Sequence, residues 1–464
     1  MTTPRTFRSL VPAATTALVA LVLAGPAQAD PLSRSQVPSQ ALAPSWTRTA
    51  ADPQTASLAA ASRDALPAVT PRAETPALHD DDAGGNADAD DPAIWRNAAA
   101  PGRSLVVATA KEGGLRVYDL EARPVQAIAA PPAAQEGDAP GRFNNVDLVH
   151  GMRLSSGRAD LAVTSDRGND RLRFYRIDRD RAGGPLSDVT DAAAPAVFSK
   201  DQAEVNEQRT AYGLATWTDP SSGRSYALVS RRERTSIALL ELLPAAGGKV
   251  TYRKVRTLEL PSTFRLPDGT AWSPCAEPDE LPQVEGMVVD AADGTLYAGQ
   301  EDIGIWRIRA DLTGTPELID RVKEYGVPGT YDEQTEECTP GADPGFGGSR
   351  LTADVEGLTL VTETDGDGYL LASSQGDDTF AAYDREREDD NEYEGGFRIT
   401  PAGTGLDGSE ECDGAAALNA PLGSKYPHGL LVVQDGHDSP GDDDRPSTNF
   451  KFVDLGKVLD ALDD

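Results

Sequence analysis

The sequence predicts an all-β fold, a six-bladed β-propeller behind a flexible N-terminal leader. Three observations predict it. From about residue 84 onward, short apolar runs alternate with Gly, Asp, Asn and Pro turns, with no long helical pattern competing. The runs fall into six similar units, each an apolar strand, a polar tip, a tight turn and a second strand. Anchored on Tyr118, Tyr175, Leu240, Ile308, Tyr383 and Val453, the units are spaced by 57, 65, 68, 75 and 70 residues. Self-similarity at such periods marks radial or repeat architectures, and six units of three or four strands fit a propeller. A pair of β-sandwiches also shows short strands and frequent turns. It does not demand the same internal order in every unit.

Taken in order, residues 1–29 read as a signal peptide. Arg5 and Arg8 precede a largely apolar run, and Ala27-Gln-Ala29 supplies a small-x-small cleavage site. The run is short and Thr-interrupted for a membrane anchor. The expectation is a secreted, extracellular protein. Residues 30–79 are rich in Ala, Pro, Ser and Thr without periodicity, and are expected to be a flexible leader or pro-segment. Residues 80–464 are expected to be the propeller. Within them the hairpins begin at Leu105, Leu161, Tyr226, Leu296, Tyr369 and Leu430. A further strand-like run precedes most of them, and a short helix is expected over 456–462. Of three Cys, Cys275 and Cys338 lie in loop-like stretches and are expected to pair, leaving Cys412 free.

The chain carries a formal charge of −32, or −34 once the two leader Arg are removed. That argues against nucleic acid or anionic membrane as partner. In a propeller, equivalent strand ends face the same end of the disc. The tips collected there are Lys111, Asp166-Arg167, Arg231-Arg232, Glu301-Asp302, Gln375 and Gln434-Asp435. The preceding strands add Asp90-Asp91, Asp147, Tyr212, Glu285 and Glu356. Lys111, Arg167, Arg231 and Arg232 form a basic group from the first three units. Glu285, Glu301, Asp354, Glu356 and Asp413 form an acidic group from the later ones. Carboxylates so dense raise one another's pKa unless a cation neutralises them. Oxygen ligands without His or Cys pairs at zinc spacing point to calcium. Arg and Lys beside bound calcium suit phosphate, so a calcium-dependent phosphohydrolase is the chemistry these residues favour.

At these residues the chain resembles the β-propeller phytases, calcium-dependent bacterial phytate hydrolases. Asp88-Ala-Asp-Asp-Pro-Ala-Ile-Trp95 resembles that family's first motif. Asn144-Asn-Val-Asp147, Glu285-Gly-Met, Glu301-Asp-Ile-Gly-Ile-Trp306, Leu351-Thr-Ala-Asp-Val-Glu-Gly-Leu358, Ser373-Ser-Gln-Gly376 and Gln434-Asp-Gly436 follow in family order. The resemblance covers about residues 84–455. It implies a six-bladed propeller that releases phosphate stepwise from phytate, with calcium-bound water as nucleophile and no covalent phosphoenzyme. It implies Asp90, Glu285, Glu301, Asp354 and Glu356 as ligands of catalytic calcium ions, with Gln375 near the channel. Asp91, Pro92 and Val146 would hold a structural calcium, and Asp413 and Asn449 would lie near another. Lys111, Arg167 and Tyr212 would clamp substrate phosphates, with Arg232 or Arg231 beside a second phosphate pocket. The chain departs from the family at Ala87, where an Asp is usual, and in long segments around residues 261–282 and 326–350.

Other phytate-cleaving enzymes use a His nucleophile in R-H-G-x-R-x-P. Val149-His-Gly-Met-Arg153 lacks its leading Arg and closing Pro, so His150 is read as structural. A propeller that only binds, or a calcium-dependent lactonase, would explain the acids but not the facing basic set. The default expectation is a monomer acting on phytate or calcium phytate.

Overall fold

Each of the six units folds as a sheet of antiparallel strands, four in sequence order in the first five and, in the sixth, three in order completed by an N-terminal strand. The computed structural model describes residues 65–463, apart from 364, 365, 387–389, 404 and 442–444. The expected signal peptide and the leader up to residue 64 lie outside the described residues. The innermost strands are Pro92–Trp95, Phe143–Leu154, Ala211–Thr218, Val284–Asp290, Val355–Thr362 and Ala415–Leu418. Each packs against the next, and the sixth packs against the first, which closes the ring into a propeller.

Burial follows from that stacking. The second strand of each blade lies between neighbouring sheets, so Leu105–Thr109 and Leu430–Asp435 are buried on both faces. The outermost strand of blade one, Pro124–Ile128, keeps polar and exposed positions. Between blades one and six, Tyr118 meets Phe450 with ring centroids 6.2 Å apart.

The boundary expected at residue 80 falls too late. Ala73–Glu74 is the fourth strand of blade six, antiparallel to Ser447–Asp454, and Leu78–His79 also pairs with that strand. Ala68–Val69 adds a parallel fifth strand to blade five on Tyr393–Ile399. Composition hid these residues because each pairing is only two residues long. They are fixed by position rather than by an apolar run. Buried Lys451 reaches this strap, with Nζ 2.8 Å from Glu74 and 3.1 Å from Asp435.

Cys275 and Cys338 form a disulfide, and Cys412 is free and buried. The C-terminal helix spans Leu455–Asp463. Among the described residues no helix is long and apolar enough to cross a membrane.

Candidate active site

The inner strands carry a device the sequence pattern did not disclose. In four blades the pairing of first and second strands slips by a β-bulge at an equivalent place. The slips lie at Asn144-Asn145, Tyr212-Gly213, Glu285-Gly286 and Glu356-Gly357. A bulge re-aims the side chain it carries and often borders an active site. Asp90 and Asp413 occupy the corresponding ends of blades one and six. Gly is needed where the inner backbones crowd. A Cβ on Gly286 would lie 1.4 Å from the Glu356 carbonyl oxygen, and one on Gly213 would lie 2.1 Å from that of Glu285. The result is a ring of Asp90, Asn144, Tyr212, Glu285, Glu356 and Asp413.

A second tier comes from the next strand of each blade. Arg167, Arg232, Glu301 and Gln375 donate their backbone N–H to Arg142, Thr210, Gln283 and Asp354 respectively. Those four acceptors stand two residues before the ring position of their own blades. The two candidate arginines, Arg231 and Arg232, differ in place. Arg232 occupies the tier position and is buried. Arg231 instead bonds the Arg209 carbonyl through Nε and lies over the Phe198 ring.

The acidic half is compact. Glu285, Glu301 and Glu356 each offer an oxygen within 4.8 Å of the others. With calcium–oxygen distances of about 2.4 Å, such oxygens can share one ion. Glu285 accepts from the Tyr212 hydroxyl and from Asn144 Nδ2, both at 2.6 Å. Gln375 Nε2 donates to Glu356 at 2.6 Å and to Asp413 at 2.9 Å. Gln283 Nε2 donates to Glu301 Oε2 at 3.0 Å. Glu301 Oε1 and Asp90 Oδ2 are buried with no hydrogen-bond partner, which buried polar atoms rarely tolerate. Burial pushes Glu285 up to about 7, with the Asp413 charge adding to it and the Tyr212 hydroxyl opposing. Burial also holds Asp90, Glu301, Asp354 and Glu356 well above the carboxylate range, reinforced by mutual repulsion. These are the features of a cation site, and the donor set fits a hard cation.

The basic half faces it. Lys111 Nζ lies 3.3 Å from Asp413 and 3.9 Å from Asp88. Burial alone would lower its pKa, but Asp413, Asp90 and Asp88 hold it above its ordinary value. Arg167 is buried, and its Nε finds no partner. Its guanidinium lies 5.7 Å from the centre of the Tyr212 ring. Burial, then the charges of Arg142 and Arg232, depress its pKa strongly. Such an arc is built to receive an anion. Sequence reasoning missed Arg142, whose Nε is also buried and unpartnered, and whose guanidinium lies 3.9 Å from a Glu112 oxygen. It also missed Asn144 as a support for Glu285. The signal was present for Arg142, because it stands as far before its ring residue as Asp354 does before Glu356.

Several expected residues sit elsewhere. Asp147, read as a tip, lies three residues beyond Asn144. It is engaged by Thr216 and by the Leu148 N–H, on the wall of the channel cavity of about 520 Å³. Asp166 is buried against Arg173 and Asn169 and serves structure. Asp91 accepts the Val146 N–H at 2.9 Å, so Asp91, Pro92 and Val146 do come together at the seam of blades one and two. Asp413 and Asn449, expected at one ion, face different partners. Asp413 belongs to the central ring, whereas Asn449 donates to Asp438 at 2.8 Å. Asp438 forms a second acidic group with Asp407 and Asp435.

The arrangement defines a class of protein, a propeller whose top face sets a metal-capable carboxylate cluster against a buried basic arc. The chain belongs to the phytase family, whose family model matches residues 35–266 and 341–464. It is 32% identical over 397 residues to the 3-phytase of Bacillus subtilis, covering 85% of each chain. Among solved structures it is similar to the calcium-binding protein regucalcin of Agrobacterium tumefaciens, with 13% identity and a TM-score of 0.39 over 84% of this chain and 97% of that one. It is also similar to a protein of unknown function from Bacteroides thetaiotaomicron, with 11% identity and a TM-score of 0.41 over 83% and 75%.

Proposed function

We propose that the protein is a secreted, calcium-dependent phosphomonoesterase that releases phosphate stepwise from phytate. The observation that supports this most is the juxtaposition of unpartnered buried carboxylate oxygens with a basic arc in which the Arg167 Nε is itself buried and unpartnered. Calcium, when bound, would neutralise the carboxylates and the substrate phosphate and activate a water molecule. Asp90, Glu285, Glu301, Asp354 and Glu356 are the residues that would hold it, with Gln375 orienting Glu356 and Asp413. Asp91, Pro92 and Val146 would hold a structural ion. Asn449 and its acidic neighbours would hold another.

The protein's own groups then have separable tasks. Lys111, Arg167 and Arg232 bind and orient substrate phosphates, and Arg142 extends that surface. Tyr212 fixes Glu285 through its hydroxyl and carries Arg167 over its ring. The leader at residues 1–29, with its charged start and small-x-small site, supports export. We take the monomer as the working state.

Glu285→Gln and Lys111→Ala test the reading. Each is expected to cut phytate turnover at least about 100-fold while the circular dichroism spectrum stays that of wild type. Near-wild-type phosphate release in both variants would sink the site assignment.

A further inference from the structure

We infer that Gln283 is a positioning residue for Glu301, and that the disulfide-linked rim beside blade four exists to hold it there. The inference rests on the calcium reading above and deepens it. Gln283 makes both halves of its amide count. Its Nε2 donates to Glu301 Oε2 at 3.0 Å, and its Oε1 accepts the Glu233 N–H at 2.7 Å. Its carbonyl accepts the Glu301 N–H at 3.2 Å. One Glu301 oxygen is thereby fixed, and the other is left buried and unpartnered.

Two segments frame this contact. One follows blade three and carries the hairpin of Phe264–Arg265 and Ala271–Trp272. The other follows blade four and carries the hairpin of Gly329–Asp332 and Glu337–Pro340. The Cys275–Cys338 disulfide joins them. Under the rim, Trp272 stacks obliquely on Tyr325 at 4.8 Å, and its indole N–H donates to the Val327 carbonyl at 2.7 Å. The stem of the first segment runs into Gln283, and that of the second into Asp354. A cavity of about 30 Å³ is lined by Cys275, Gln283, Glu301 and Asp354 together. The bridge therefore ties the chain entering blade four to the chain entering blade five. Those are the two segments whose carboxylates must keep a fixed separation to share a cation. Groups that orient metal ligands typically contribute about 10–100-fold in metal affinity.

The test is calcium binding to the chelator-stripped full chain by calorimetry, with Glu285→Gln subtracting the ring site. Gln283→Met keeps the bulk and removes the amide. It is expected to weaken ring calcium about 10–100-fold, with the melting midpoint in chelator unchanged. Its loss of phytate turnover should shrink as calcium is raised to saturation. Cys275→Ser/Cys338→Ser should shift calcium affinity in the same direction. Calcium titrations of Gln283→Met and the double Cys variant that superimpose on wild type would overturn the inference. Wild type that binds calcium at the ring without hydrolysing phytate would overturn the functional reading and leave this one standing.

Discussion

Glu285 sits where three demands meet. It must be buried to form the ring, stay ionised to hold a cation, and accept from Tyr212 and Asn144. Without a cation, burial wins and its carboxyl rises to about 7 from an ordinary 4.5. The folded state then holds a proton that the unfolded state releases between those values. Stability must therefore fall as pH rises from about 4.5 through about 7. Asp90, Glu301, Asp354 and Glu356 are shifted in the same direction. In chelator the melting midpoint is expected to be lower at pH 8 than at pH 5.5, and calcium should narrow the difference. A midpoint that rises over that interval in chelator contradicts this electrostatic account. Arg142 offers a second residue-scale prediction. If it receives a neighbouring phosphate, Arg142→Ala should raise KM for phytate about 10–100-fold, the value of one charge-assisted bond. Its effect on a simple monophosphate should be smaller. Most of the acidic and basic residues were legible as strand tips. Arg142 was passed over because it precedes the tip, and only its offset from the ring residue, shared with Asp354, sets it apart from any loop Arg.

At the scale of elements, the bulges explain both what could be read and what could not. The dipeptides Tyr212-Gly213, Glu285-Gly286 and Glu356-Gly357 stand openly in the sequence. Their meaning depends on a slip in register that alternation alone does not reveal. One residue of slip moves every later side chain to the opposite face. That is why Asp147 was assigned to the tips in place of Asn144. Gly286→Ala tests the packing of these elements. Its Cβ would meet the Glu356 carbonyl, a backbone atom that cannot swing away. The expected loss is about 3 kcal/mol or more, read by chemical denaturation. A loss below about 1 kcal/mol would show that the inner strands are less tightly drawn together than they stand here.

For the whole molecule, the repeat spacing was enough to count six blades, but it did not show how the circle is closed. Two-residue strands at Ala73–Glu74 and Leu78–His79, both paired with blade six, do that work, in a stretch whose composition resembles a leader. Removing residues through 79 would strip a strand from blade six and leave buried Lys451 without Glu74. The truncated protein should melt lower and be cleaved faster by protease than the full chain. Equal protease resistance would mean the strap is dispensable. The net charge of −32 sets the larger problem of how such a chain receives a polyanion. Cations held by the ring answer it locally, since each divalent ion returns two positive charges at the place where phosphate must dock. The most direct measurement is phosphate release from phytate by the full chain with calcium, after chelation, and after calcium is restored. The account predicts turnover that disappears on chelation and returns with calcium. Undiminished turnover in excess chelator would contradict it.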